Sequence, residues 1–305
     1  MASDALYQAE RIGDWGTPVA AAGGDYAAET LHLPDGTDLF FRTWRAADAA
    51  APVLVFLHGL GAHTGWFIDL GNALSAHGLS VVMDDHRGFG RSGGPRGHVR
   101  RGGVYLDDLG AFLDEVQRRQ PQAPIFLAGH SMGGIFATYL AAADTRSGRN
   151  RIRGLVLLNP WVKEIIKVSL GAMLAGFPAG LLGSAAPFPL PPNPAVMTAN
   201  PEAVTLLNDD RYWVGQQSKA FLVQLLGLRN GILKQAKLVR APALVIQSEA
   251  DRSVSQKHSR KLYDALGSAD KTWKTYPGYA HDFEFEPDRS ALDNDLADWI
   301  LRHRA

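Results

Sequence analysis

The feature that most constrains this chain is a set of short, uninterrupted apolar runs, each passing into a loop rich in glycine or polar residues. Val53–Leu57, Ser80–Met83, Ile125–Ala128, Leu155–Leu158 and Ala243–Ile246 all have this form. A strand that is apolar at every position buries both faces, as in a parallel sheet covered by helices on either side. Between the runs the apolar period changes: Leu106, Leu109, Phe112, Leu113 and Val116 recur at helical spacing, as do Leu292, Leu296, Trp299 and Ile300. Strand, loop and helix repeated in this way predict an α/β fold, a mostly parallel doubly wound sheet with helices on both faces. Thr30–Leu33 and Leu39–Trp44, joined across Pro34, Asp35, Gly36 and Thr37, read as a β-hairpin ahead of it. Residues 1–25 form a polar lead rich in Ala and Gly, without the basic and apolar segments of a signal peptide, so the expected compartment is the cytoplasm.

The rhythm breaks once. From residue 160 to 237 no buried strand is evident, and residues 168–201 contain no charged side chain. The expected organisation is a core of residues 26–159 and 238–305 with a mainly helical insertion over 160–237.

Gly129-His130-Ser131-Met132-Gly133-Gly134 follows one apolar run directly and precedes the helix-compatible stretch Ile135–Ala143. A serine on such a strand-to-helix turn takes strained backbone angles and exposes its hydroxyl at the end of the sheet, and small residues two places away on each side let neighbouring backbone come close. The following helix aims its first N–H groups at the place where negative charge develops. Ser131 is therefore the candidate nucleophile. It needs a base held by an acid, in the chain order Ser, acid, His. Downstream histidines are His258, His281 and His303. His258 sits in a polar stretch and His303 near the end of an amphipathic helix; both read as surface. His281 follows a turn after the strand-like Thr272–Tyr276, so it is the candidate base. For the acid, Asp251 lies just past the run Ala243–Ile246, on the same sheet edge as the serine, with Glu249 as competitor. Asp282 and Glu284 read as anchors of the histidine loop. Two backbone donors are expected for the oxyanion, the N–H of Met132 and that of Leu60 in the loop His58-Gly59-Leu60-Gly61. His58 reads either as a wall of the site, with Gly59, or as a residue that shapes this loop.

Composition excludes several other chemistries. With no cysteine there is no disulfide, thiolate nucleophile, iron–sulfur cluster or cysteine-based zinc site. Lys+Arg 31 against Asp+Glu 31 gives no bulk positive field for a nucleic-acid partner. Gly88–Gly93 satisfies G-x-G-x-x-G, but no helical pattern opens within it, so a dinucleotide site is not expected. No metal and no cofactor is implied. Asp85 reads as structural. Arg87, Arg91, Arg96, Arg100 and Arg101 occur with no acid among them, which predicts a solvated loop or, more sharply, attraction to anionic lipid or a phosphate-bearing substrate.

With these residues placed, the chain resembles the α/β-hydrolase superfamily and, within it, the monoacylglycerol lipase and lysophospholipase group of serine aminopeptidase S33-type hydrolases. The segments that carry the resemblance are Phe56–His63, Asp85–Ser92, Gly129–Gly134, Ser248–Asp251 and Tyr276–His281. The resemblance implies a serine carboxylester hydrolase acting through an acyl-enzyme on Ser131, with a cap between the sixth and seventh core strands. Acyl transfer, thioester cleavage or perhydrolysis on the same triad, or a non-enzymatic ligand-binding relative, are the alternatives.

The apolar stretch Val168–Leu190 is long enough to suggest a membrane span, although Pro178 interrupts it. A single crossing would separate Ser131 from Asp251 and His281, so a cap is expected instead, with Met173, Leu174, Phe177 and Leu181 contacting an acyl ester or lipid substrate. Peripheral contact of this cap with a membrane surface is also expected.

Overall fold

Eight strands form one sheet in the order β1-β2-β4-β3-β5-β6-β7-β8. They are β1 (Tyr26–His32), β2 (Asp38–Trp44), β3 (Val53–Leu57), β4 (Ser80–Asp84), β5 (Ile125–His130), β6 (Ile152–Leu158), β7 (Ala243–Ser248) and β8 (Lys271–Tyr276). The structure is a computed structural model that describes residues 26–165, 170–188 and 193–304, with residues 170–175 described as backbone only. The lead of residues 1–25 and the apolar residue Leu190 lie outside the described residues. β1 and β2 pair antiparallel as the expected hairpin, with Tyr26 opposite Trp44, and β2 pairs antiparallel with β4. All other neighbours are parallel.

The uninterrupted apolar runs are explained by the two faces of the sheet. Successive side chains of a strand point to opposite faces. Val53, Val55 and Leu57 of β3 join one core with Leu109, Phe112 and Val116 of α2 (Gly103–Arg119) and Ile135 and Phe136 of α3 (Met132–Ser147). Leu54 and Phe56 join the other, with Leu70 and Leu74 of α1 (Ile68–Ala76) and Leu296, Trp299 and Ile300 of the last helix, α7 (Ser290–Arg302). Every residue of β3, β4, β5 and β7 is buried. The two edge strands are the ones that meet solvent: β1 is exposed or half-buried beyond Tyr26, and β8, with Lys271 and Lys274, is half-buried along most of its length, as charged edge strands resistant to further pairing are.

From β3 the chain steps outward to β4 on one side and then to β5 on the other. That reversal opens a crevice at the C-terminal ends of the central strands, where α/β proteins of this kind bind their ligands. The residues between β6 and β7 supply α4 (Leu170–Leu181), α5 (Pro201–Asp209) and α6 (Lys219–Ala236). Pro178 does not end α4 but lies within its last turn, and no helix among the described residues is long and apolar enough to cross a membrane. α6 is no loose attachment. It packs against α3 and places Phe221, Leu225 and Ile232 in the main core, with α4 on its other side. The Tyr139 hydroxyl donates to the Leu228 carbonyl at 2.8 Å and secures that contact.

Candidate active site

Ser131 follows β5 with φ +51° and ψ −111°, a conformation that side-chain-bearing residues rarely adopt. The turn is held because Ser131 N–H donates to Leu158 O (3.0 Å) and the Ser131 carbonyl accepts from Gly134 and Trp161. Gly133 is required by close approach: a Cβ there would run into the Leu57 carbonyl of β3. Met132 opens α3, so its N–H has no intrahelical acceptor.

The loops after β5, β7 and β8 meet at this turn. Ser131 Oγ lies 2.9 Å from His281 Nε2, and His281 Nδ1 lies 2.7 Å from Asp251 Oδ2. The other Asp251 oxygen accepts the N–H groups of Ser253 (2.7 Å) and Val254 (2.9 Å). Ser131 and His281 are buried. Burial works against charging His281, but Asp251, through its charge and its hydrogen bond, outweighs that and lifts the imidazole above its ordinary 6.5. Burial likewise pushes the Asp251 carboxyl up, yet His281 and the two backbone N–H groups bring it below its ordinary 3.8. Glu249 is exposed on the same loop, and the described network turns Asp251, not Glu249, toward His281.

His58 does not form a wall of the site. It is 1% exposed, its ring stacks on His86, its Nε2 accepts the His86 N–H (3.0 Å), and its Nδ1–H donates to Gly59 O (2.7 Å). The loop-shaping reading is the one the geometry supports. Because C=O and N–H of a trans peptide point opposite ways, holding Gly59 O toward His58 turns the Leu60 N–H away from it. Gly59 itself lies against Ser131, and a Cβ there would stand 3.1 Å from His130 Nδ1 and 3.4 Å from Ser131 Cβ. Asp85 is structural: buried, it accepts the N–H of Thr64 (2.6 Å) and of Arg91 (2.7 Å).

The apolar insertion turns part of its surface outward, and the expectation of a solvated arginine loop needs correction at Arg87. Phe177 and Leu181, four residues apart on one face of α4, are 42% and 62% exposed, and Leu182 is 89% exposed; they form an outward apolar surface, whereas the opposing small residues Gly176 and Gly180 face Phe188 and α6. The side chains of Met173 and Leu174 lie outside the described residues. Arg87 is not solvated. It donates to both carboxylate oxygens of Asp108 (2.6 and 2.7 Å) and pairs with Asp35 at 2.8 Å, so its acids come from α2 and the β1–β2 turn. Arg96 donates to the carbonyls of Gly90 and Tyr212, and Arg91 stacks over the Phe40 ring; Arg100 and Arg101 are exposed.

Several polar residues at the site escaped the sequence reading. His63 Nε2–H donates to Asp210 (2.8 Å), as does Trp66 Nε1–H (2.7 Å), and Val214 N–H donates to Gly61 O (3.0 Å). These contacts tie the insertion to the loop that carries Leu60. On the opposite rim, Asp282 N–H donates to Met197 O and Ser253 Oγ–H to Val196 O. The insertion therefore spans the C-terminal edge of the sheet. Among the described residues, one group could offer three atoms to a metal: His130, His281 and Asp282, within 4.8 Å of one another. Both His281 nitrogens are already engaged by Ser131 and Asp251. Burial, with His281 nearby, brings His130 down to about 3, and burial raises Asp282 to about 7.

A family model described as serine aminopeptidase, S33, matches residues 48–288. The chain belongs to this family. Membership in the S33 family makes it a hydrolase of the α/β-hydrolase fold, in the group that holds lipases and esterases. Mouse monoglyceride lipase is 33% identical over 252 residues, 81% of this chain and 80% of that protein. The monoacylglycerol lipase of Mycolicibacterium smegmatis is 29% identical over 278 residues, 88% of this chain and 94% of that protein. A soluble variant of Saccharomyces cerevisiae monoglyceride lipase, solved with a substrate analogue, shares the fold with TM-score 0.77 at 21% identity, covering 96% of this chain and 99% of that one.

Proposed function

We propose that this S33-family hydrolase cleaves acyl esters, with monoacylglycerols as the substrate class, through an acyl-enzyme on Ser131. The observation that carries the reading is the buried chain of two hydrogen bonds from Ser131 Oγ to His281 and from His281 to Asp251. His281 Nε2 takes the serine proton as Oγ attacks the ester carbonyl, and Asp251 holds the imidazole in the required tautomer and stabilises its charge. The N–H groups of Leu60 and Met132 receive the oxyanion. His281 then protonates the leaving alcohol, a water activated by the same imidazole attacks the acyl-enzyme, and the carboxylic acid departs with Ser131 restored. No cofactor is needed for any of these steps.

The relatives named monoacylglycerol and monoglyceride lipase support the substrate class. Residues 160–237 act as a cap over the site, and the exposed Phe177, Leu181 and Leu182 meet the lipid surface from which substrate is drawn, which makes the enzyme a peripheral visitor to that surface. Rates across p-nitrophenyl esters and monoacylglycerols of increasing chain length test this. A preference for medium or long chains is expected; highest activity on acetate, with no response to chain length, would contradict it.

A further inference from the structure

Asn159 combines three properties that together have no structural economy unless the geometry of the site depends on it. It is 1% exposed, it has φ +43° in the left-handed region, and its side chain bonds to two other loops. Its own N–H donates to Ile246 O of β7 at 2.9 Å. Its Oδ1 accepts the Ser248 N–H at 2.7 Å, and its Nδ2 donates to His281 O at 2.7 Å and to Ser248 Oγ at 2.9 Å. The amide orientation is dictated by chemistry, because the Ser248 N–H can only donate and the His281 carbonyl can only accept.

Asn159 therefore stands at the end of β6 and joins the end of β7, three residues before Asp251, to the backbone of His281 itself. Two hydrogen bonds fix where the His281 carbonyl lies, one from Asn159 and one from the neutral His130 ring at 3.0 Å. His130, the residue before Ser131, links that carbonyl to the serine turn, and Asn159 links it to the end of β7 that leads into the acid loop. The residue type follows from the task. The position needs an acceptor toward one loop, a donor toward another, and tolerance of positive φ, which among side chains with an amide Asn provides and the longer Gln does not.

We infer that Asn159 is a positioning residue for the reaction: it sets the spacing of His281 to Asp251 and Ser131 without touching substrate. The inference rests on the Ser131–His281–Asp251 assignment. Displacing a catalytic group by about 1 Å costs about 100-fold in rate, so holding the histidine loop to the acid loop is a kinetic matter.

Two substitutions test it in the full chain. Asn159→Gly keeps the left-handed backbone and removes both side-chain functions; Asn159→Asp keeps the backbone and the acceptor and removes the donor to His281. For each, kcat and KM on a soluble p-nitrophenyl ester, the folded fraction by circular dichroism, and the low-field imidazole proton NMR signal of the His281–Asp251 hydrogen bond are measured. A fall in kcat of about 30–100-fold with KM within about threefold, a wild-type folded fraction, and a weakened low-field signal are expected in both. A kcat within about threefold of wild type overturns the inference. So does a loss of activity that matches the fraction unfolded, because that is a purely structural role. Should the Gly variant fail to fold, the Asp variant decides by the same criteria. Ser131→Ala runs alongside: an active Ser131→Ala enzyme overturns the triad assignment itself, whereas an inactive one with wild-type Asn159 variants overturns only the positioning role.

Discussion

Replacing Asp251 by Asn should cost about 10⁴ in kcat, although the side chains are nearly isosteric. The reason lies in how the carboxylate is held. One oxygen accepts two backbone N–H groups, from Ser253 and Val254, and the other accepts the His281 Nδ1–H at 2.7 Å. An asparagine must keep its single carbonyl oxygen toward the two backbone donors, because its NH₂ there would face two N–H groups. Its NH₂ then faces His281 Nδ1. That contact is favourable only if Nδ1 is unprotonated, which moves the imidazole proton to Nε2, where it points at Ser131 Oγ. An imidazole in that tautomer cannot take the serine proton. The predicted loss corresponds to about 5 kcal/mol of transition-state stabilisation, far above what a change in folding stability at this site would give in a still-folded protein. Steady-state kcat on a p-nitrophenyl ester at pH 8, with circular dichroism to verify the fold, measures it. A folded Asp251→Asn enzyme within tenfold of wild type would refute the assignment of Asp251 as the group that orients His281, and with it the tautomer argument.

The same site sets a pH dependence. His281 works as a base only when neutral, and Asp251 raises its pKa above 6.5, so kcat/KM should rise with pH through a midpoint above 6.5 and be low on the acid side; a midpoint below 6 would contradict the pairing. Gly133→Ala places a methyl group against the Leu57 carbonyl and should lower Tm by about 2–5 °C, as overpacking does in a chain of this length, with near-complete loss of turnover; a wild-type melting curve in a thermal scan would argue against this backbone contact. A Leu181→Ser/Leu182→Ser double substitution removes the most exposed apolar side chains of the insertion. It should weaken sedimentation with lipid vesicles about tenfold or more while leaving hydrolysis of a soluble short ester unchanged, and undiminished vesicle binding would sink the lipid-surface role.

Much of this protein is written locally in its sequence, and the reasons are physical. β3, β4, β5 and β7 are legible because both faces are buried, which fills the middle of each run with apolar side chains and confines polar ones such as Ser80, Asp84, His130 and Ser248 to the strand ends. Ser131 is legible because a strand-to-helix turn with a buried approach demands small residues at fixed offsets. Asp251 and His281 follow from being just beyond strand ends on the same edge. What the sequence hides is any role that depends on which loops meet. Asn159 carries only a faint signal, an Asn between the apolar run Leu155–Leu158 and Pro160, where continuation of a strand is stopped. Asp210 and His63 are 147 residues apart, and nothing local links them. Arg87 looked solvated because its acids, Asp35 and Asp108, lie in other elements. For Phe177 and Leu181, composition reveals an apolar helix face but not that it is exposed.

The central claim is that Ser131 is the nucleophile of an ester hydrolase. Incubation with a fluorophosphonate followed by peptide mass spectrometry tests it directly, alongside the same treatment of Ser131→Ala. The account predicts one covalent adduct, on the peptide containing Ser131, formed in step with the loss of ester hydrolysis, and neither adduct nor hydrolysis in a folded Ser131→Ala protein. Hydrolysis at the wild-type rate by Ser131→Ala, or full inactivation with the label on another residue, would contradict it.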